Sequence, residues 1–321
     1  MRRQVKSIIK KINSLSTNDQ AEIERENVMK KTVIDLSKNE LKKLQLIELE
    51  MLVEVDRICR KNGIRYSLDA GTLLGAVRHQ GFIPWDDDLD VMFLHEEYEK
   101  FYEACKNDLD TGRFFFQDHR TDLGYRWGYG KLRRLGTEYI KAGQEKLKQR
   151  TGICIDVFDV QNIPDGQKQR KRYVRKMFCI RKTLYSALGR TNEKNPLMRL
   201  WYSLLYLIPN QTVHRIKDRI TRKTDAAPTE NVLFLMWPLR SCPYGFPRKL
   251  FDEYTELDFE GMKFMAIKNY DAYLRIRYAD YMKLPPPEAR KGVMDAAALS
   301  FTDISHEQIL EIYNQGRMLK E

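Results

Sequence analysis

The chain has 321 residues, 42% of them hydrophobic, and a formal net charge of +11 at pH 7, long enough to bury a large core in one or two domains. A mean hydropathy of −0.57, with no continuous apolar stretch of roughly twenty residues, excludes a transmembrane helix, and no secretory hydrophobic segment stands near the N-terminus. Five scattered cysteines without paired CxxC spacing point to reduced thiols in a cytoplasmic protein and to no zinc site.

In chain order, Met1 to Ser16 intersperses Arg2, Arg3, Lys6, Lys10 and Lys11 with Val5, Ile8, Ile9, Ile12 and Leu15. This spacing predicts a basic amphipathic helix suited to an anionic membrane surface. Ser37-Lys38-Asn39-Glu40 is a capping box opening a long helix. Leu41, Leu44, Leu46, Ile47, Met51, Leu52, Val55 and Ile58 mark its buried side, and Gly63 ends it. Ile64 to Leu68 reads as a short strand. Gly71-Thr72 then opens a short helix whose glycine backbone and N-terminal amides suit a phosphate, with the Thr72 hydroxyl as a further contact. Arg78 and His79 close that helix, either contacting phosphate or stabilising the helix end.

The next segment, Gly81-Phe82-Ile83-Pro84-Trp85-Asp86-Asp87-Asp88-Leu89-Asp90-Val91-Met92-Phe93, is the most informative. Leu89 to Phe93 reads as a buried strand, on which Asp88 and Asp90 would share a face. Two carboxylates side by side at the mouth of an apolar strand repel each other, and a divalent cation removes the conflict. Hard oxygen donors suit Mg²⁺ or Mn²⁺ working on phosphate groups. Asp86 and Asp87 are candidates to support that pair from behind.

Further along, Tyr98 to Cys105 reads as a helix and Phe114 to Gln117 as a strand. Trp127 to Arg134 looks like a strand reaching the site, followed by Thr137 to Ile140. Lys131 and Arg133 alternate onto one face, where they meet phosphates or face solvent on an edge strand. Thr151 to Val160 is an apolar, β-branched run with Asp156 at its middle. A basic block from Lys168 to Lys182 precedes the apolar segment Leu197 to Ile208. That segment is too short to span a bilayer but suits its interface, or else an ordinary core. The basic charge alone would admit nucleic acid, but its distribution favours a membrane surface, so no nucleic acid is expected.

Ile64-Arg65-Tyr66, Gly71-Thr72-Leu73-Leu74-Gly75-Ala76-Val77-Arg78-His79 and Gly81 through Asp90 together closely resemble the signature of the LicD family. That family includes bacterial phosphocholine transferases and, more distantly, fukutin-type transferases. The resemblance runs over roughly residues 37 to 290 and is strongest from 64 to 93. It implies an α+β nucleotidyltransferase fold of the DNA polymerase β type, with a mixed sheet and added helices. It also implies a third carboxylate on a neighbouring strand, which Asp156 supplies as metal ligand or general base. Otherwise Asp156 pairs with a nearby basic residue. Two departures stand out. Phe158-Asp159-Val160-Gln161 replaces a usual Phe-Pro-Leu-Asp, and Tyr278-Ala279-Asp280 replaces Tyr-Gly-Asp, a loss that is tolerable if φ stays negative.

The expected organisation is a basic N-terminal extension (1–36), a catalytic core (37–164), a basic and apolar helical insertion facing the membrane (165–230) and a C-terminal helical part completing the domain (231–321). The expected activity is metal-dependent transfer of a phosphorylated alcohol, phosphocholine from CDP-choline being favoured. The acceptor would be a hydroxyl of a lipid-linked cell-surface glycan of teichoic-acid or lipopolysaccharide type, at the cytoplasmic face of the membrane. Asp88, Asp90 and Asp156 would carry Mg²⁺ or Mn²⁺, and Gly71, Thr72, Arg78, His79, Lys131 and Arg133 the donor phosphates. Trp85, Tyr125, Trp127 and Tyr129 are candidates for a choline head group through cation–π attraction, or are core or rim aromatics. Other readings are ribitol- or glycerol-phosphate transfer, nucleotidyl transfer releasing pyrophosphate, and a basic adaptor binding membrane or nucleic acid.

Overall fold

The structure, a computed structural model, describes residues 36–290 and 296–318. The amphipathic segment expected at residues 1–16 lies outside them, as does nearly all of the extension to residue 36. The fold is mixed α+β. Helix α1 (Lys38–Asn62) begins at Ser37, whose hydroxyl accepts from Glu40 N–H while the Glu40 carboxylate accepts from Ser37 N–H. It ends at Gly63 with φ 64°, a left-handed turn that glycine adopts without steric cost. Its burial is wider than a single stripe. Glu48, Glu50, Glu54 and Asp56 are buried along with the apolar residues, because the helix is covered on several sides. Arg113 and Arg134 pair with Glu50, Arg57 with Glu54 and Arg60 with Asp56, so those three charged groups are compensated.

The sheet is built from β1 (Ser67–Leu68), β2 (Asp90–Leu94), β3 (Phe114–Gln117), β4 (Gly130–Arg134), β6 (Cys154–Asn162), β7 (Asn231–Phe234) and β8 (Phe246–Pro247). Its main path runs β1-β2-β6-β4-β3, and β7 joins the far half of β6 and carries β8. Only β2 and β6 run parallel; the other pairs are antiparallel. Every residue of β2 is buried, as expected for a strand covered on both faces. Two small ribbons complete the strands. One pairs β5 (Glu138–Lys141) with β11 (Ala296–Ser300), and the other pairs β9 (Tyr254–Phe259) with β10 (Met262–Ile267).

Helix α2 (Ala70–His79) follows β1, and α3 (His95–Asp108) follows β2. Residues between β6 and β7 form α4 (Gln167–Asn192), α5 (Pro196–Tyr206) and α6 (Asn210–Asp225). Of these, α4 and α6 contribute to a second apolar cluster that includes Tyr173, Met177, Ile180 and Val213. Helices α4 and α5 pack closely. A Cβ on Gly189 would lie 2.4 Å from the Tyr202 ring, so only glycine admits this approach. Tyr202 is the single buried residue of α5, and the apolar side chains Leu197, Leu200, Leu204 and Leu207 are 58–76% exposed. Near the C-terminus come α7 (Tyr270–Tyr278) and α8 (His306–Met318).

The backbone departs from two expectations. Asp88 precedes the strand, which starts at Asp90, so Asp88 and Asp90 are not alternate residues of one strand. Ala279, in the Tyr-Ala-Asp segment, has φ 54° and ψ −109°. Its φ is positive, so the missing glycine leaves a strained residue there.

Candidate active site

Strand pairing assembles the centre of the site. Asp90 on β2 is in register with Asp156 on β6, and Asp156 with Lys131 on β4. Residues in register share a face of the sheet, so these three side chains stand in a row across three strands. Asp69 extends the row, donating its N–H to the Asp90 carbonyl at 3.0 Å just beyond β1. Asp86, Asp87 and Asp88 approach from the loop before β2, and their carboxylate oxygens come within 4.8 Å of one another. Asp90, Asp156, Lys131 and the loop line one cleft of about 810 Å³, with Asp69 behind it.

Charge crowding dominates the cleft. Burial, and then the neighbouring Asp88 and Asp87, push the Asp86 carboxyl up to about 8. Asp88 is raised to about 6 by desolvation and then by Asp87 and Asp156. Its surface is open to solvent, but it stands inside a concavity walled by protein, where water screens it poorly. Buried Asp90 is driven well above the carboxylate range, first by desolvation and then by Asp88, Asp156 and Asp69. Glu48 of α1 meets the same cleft, fully buried with Oε2 unpartnered. Burial and the aspartates raise its pKa strongly. These oxygens cannot all be ionised together, and an all-oxygen set in that condition fits a hard divalent cation.

Cations face the acids. Lys131 Nζ pairs closely with Asp156. Burial alone would lower the lysine pKa, but the carboxylate beside it holds it well above normal. Arg277 of α7 lines the cleft and reaches Asp69 Oδ1 at 3.0 Å, and the Tyr273 hydroxyl donates to the same oxygen at 2.6 Å. Lys141 and Arg150 add further charge to the rim.

The other expected residues divide. Gly71 lines the cleft, and a Cβ there would sit 2.3 Å from Asp86 Oδ2. Its lack of a side chain therefore makes room for an acidic side chain. Thr72 is buried, and its Oγ1 accepts the Asp90 N–H at 2.9 Å. The hydroxyl caps a strand amide that would otherwise be buried unpaired, so Thr72 holds Asp90 in place. Arg78 and His79 are not among the residues lining the cleft. Arg78 donates to the Tyr281 carbonyl at 2.8 Å, and His79 meets the edge of Trp85. Arg133 lines the cleft, but its guanidinium donates to Gln117 Oε1 and the Gly152 carbonyl at 2.6 Å each. Trp127 and Tyr129 line it, and Trp85 does not. Asp156 takes the basic partner that was the alternative to a metal role.

Glu48 and Arg277 were missed. A signal for Glu48 existed: it sits four residues from both Leu44 and Leu52, an acid on the apolar side of α1. Arg277 stands directly before the Tyr-Ala-Asp segment, but nothing local ties it to a carboxylate two hundred residues earlier in the chain.

A mixed sheet here presents a row of carboxylates beside lysine and arginine, with an acidic loop at its mouth. Residues 63–184 match the family model described as the LicD/FKTN/FKRP nucleotidyltransferase domain. Through these residues the chain is similar to the LicD family. It is 28% identical over 286 residues to a lipopolysaccharide cholinephosphotransferase LicD of Haemophilus influenzae, covering 80% of this chain and 96% of the relative. An uncharacterised protein of Rickettsia typhi is 35% identical over 120 residues, 37% of this chain and 30% of its own length. Another from Rickettsia prowazekii is 38% identical over 76 residues, 18% of this chain and 29% of its own.

Proposed function

We propose that the protein transfers phosphocholine from CDP-choline to a hydroxyl of a cell-surface glycan, in a reaction that requires Mg²⁺ or Mn²⁺, on a nucleotidyltransferase fold of the polymerase β type. The observation that carries this reading is the convergence of Asp88, Asp90 and Asp156 with Lys131 and Arg277 in one cleft. The name of the Haemophilus relative supplies the choline phosphate and the glycan.

Asp86, Asp88 and Asp90 would hold the cation, with Glu48 as a further oxygen. A bound divalent ion would neutralise charge on the diphosphate and the leaving nucleotide. The chain's own groups do the rest. Arg277 and Lys141 bind and orient phosphate oxygens. Donor phosphates entering beside Lys131 draw its ammonium away from Asp156. The freed Asp156 carboxylate accepts the acceptor hydroxyl proton as the new oxygen–phosphorus bond forms. The bond from that phosphorus to CMP breaks, and CMP leaves with the electron pair. In-line placement, fixed by the register of β2, β6 and β4, supplies much of the acceleration.

The apolar face of α5 lies beside the basic helix α4, which supports a peripheral place on an anionic membrane where lipid-linked glycans are made. No helix among the described residues is long and apolar enough to cross a membrane.

The test is CMP release from CDP-choline with Mn²⁺ and a glycan fraction. Metal-dependent release that Asp88→Asn and Asp90→Asn each abolish supports the reading. Release only from CDP-ribitol or CDP-glycerol would change the donor. Pyrophosphate from a nucleoside triphosphate, with no CMP from any of the three, would replace the reaction with nucleotidyl transfer.

A further inference from the structure

Beside the carboxylate cleft lies a second cavity of about 580 Å³, within the size range of small-molecule sites. Trp127, Phe178, Tyr185 and Trp237 wall it. Phe178, Tyr185 and Trp237 expose 49%, 40% and 62% of their surface, an unusual outlay of aromatic area on open protein. Trp127, Tyr129, Tyr185 and Trp237 also line the carboxylate cleft, so the two spaces are continuous.

The cavity also carries uncompensated positive charge. Arg126 is buried and donates to the carbonyls of Leu184 at 2.9 Å and Thr183 at 3.3 Å. Arg181 donates to the Leu235 carbonyl at 2.6 Å. Neither has a carboxylate partner among the described residues. Burial pushes both guanidinium pKa values down, as expected for cations without a counter-charge. Lys182 and Arg240 add charge at the rim. A quaternary ammonium prefers aromatic walls free of cations, so this cavity repels choline. Flat aromatic faces instead match the C–H faces of a sugar ring, and guanidinium groups match a phosphate or carboxylate.

We propose that this aromatic bowl binds a saccharide unit bearing a phosphate or carboxylate group, and that the acceptor is therefore an anionic glycan whose neighbouring hydroxyl reaches the Asp156 side of the cleft. The assignment rests on the reading above that a glycan is the acceptor. It also places the choline head group away from the bowl.

Calorimetric titration of the full chain, without metal or donor, tests it directly. The probes are glucose 6-phosphate, glucuronate, glucose, inorganic phosphate and choline chloride. Glucose 6-phosphate or glucuronate should bind at least tenfold more tightly than both glucose and inorganic phosphate, and which of the two does so identifies the anionic group. Arg181→Gln should weaken that binding about tenfold. Trp237→Ala, at an exposed side chain whose loss the fold tolerates, should weaken it by a similar factor. Charged sugars binding no better than glucose or inorganic phosphate would overturn the proposal, as would affinity unchanged in Trp237→Ala. Choline binding that Trp237→Ala abolishes would overturn it by giving the bowl to the head group. The readout is binding, so CMP release alongside a negative titration would sink the bowl and leave the transfer reaction standing.

Discussion

Proton–metal competition in the acidic cleft gives the sharpest prediction. With Asp86 raised to about 8 and Asp88 to about 6, roughly nine in ten Asp86 carboxyls carry a proton at pH 7, and most Asp88 carboxyls do not. A divalent cation held by these oxygens must displace that proton. Between pH 8 and pH 6 its apparent affinity should fall by at least ~10-fold per pH unit, ~100-fold or more in all, because Asp90 and Glu48 are also driven up and add protons to displace, and below pH 6 the Asp88 proton should steepen the slope. Mn²⁺ titration by calorimetry at several pH values, in buffers of different ionisation heat, reads both the slope and the proton released. Asp86→Asn should flatten the slope between pH 6 and 8. A second consequence concerns stability. The folded state holds protons on these carboxyls that the unfolded chain has lost above pH ~4, so metal-free protein should lose stability as pH rises from 4 to 8. Mn²⁺ should restore it at the alkaline end. Affinity that stays flat from pH 6 to 8 in the unaltered protein would refute the reasoning, because these carboxylates would then not be the ligands.

Three further outcomes follow from particular residues. Ala279→Gly should stabilise the fold by about 1 kcal/mol in urea denaturation, because an exposed residue with positive φ sheds strain and loses no packing; a decrease in stability would contradict the strain argument. Thr72→Val keeps the shape but strands the buried Asp90 N–H, so it should cost about 1–3 kcal/mol and lower CMP release with it; a variant as stable as the parent would refute the capping role. Leu200→Glu with Leu204→Glu should abolish flotation with vesicles rich in anionic lipid while shifting unfolding by no more than about 0.5 kcal/mol, since both side chains are already exposed. Equal flotation of variant and parent would remove α5 from the membrane reading.

Local pattern made much of this protein legible. The capping box at Ser37, the glycine stop at Gly63 and the apolar run after Asp90 each act over a few residues, and the helix and strand follow them closely. The acidic segment was legible for another reason: few structures crowd aspartates against a buried strand unless a cation or a base is at work there. The strand-amide contact of Thr72 was not legible, because a hydroxyl after glycine gives no sign of where the Asp90 N–H will stand. Arg78 at the end of α2 read equally as a phosphate contact or a helix-end charge, and its bond to the Tyr281 carbonyl, about two hundred residues away, was not legible. Ala279 shows the same limit in the backbone, since the φ of a helix-ending residue depends on where the next segment must go.

By itself, the sequence determined where acidic and basic residues crowd together and which short elements carry them, because charge, apolar spacing and capping are properties of neighbours along the chain. Only the tertiary structure decided how they combine. Strand register put Asp156 between Asp90 and Lys131, and α1 delivered Glu48 and α7 Arg277 to the same cleft. Those partners are chosen by the packing of elements far apart in the chain, and residue spacing carries no record of that distance.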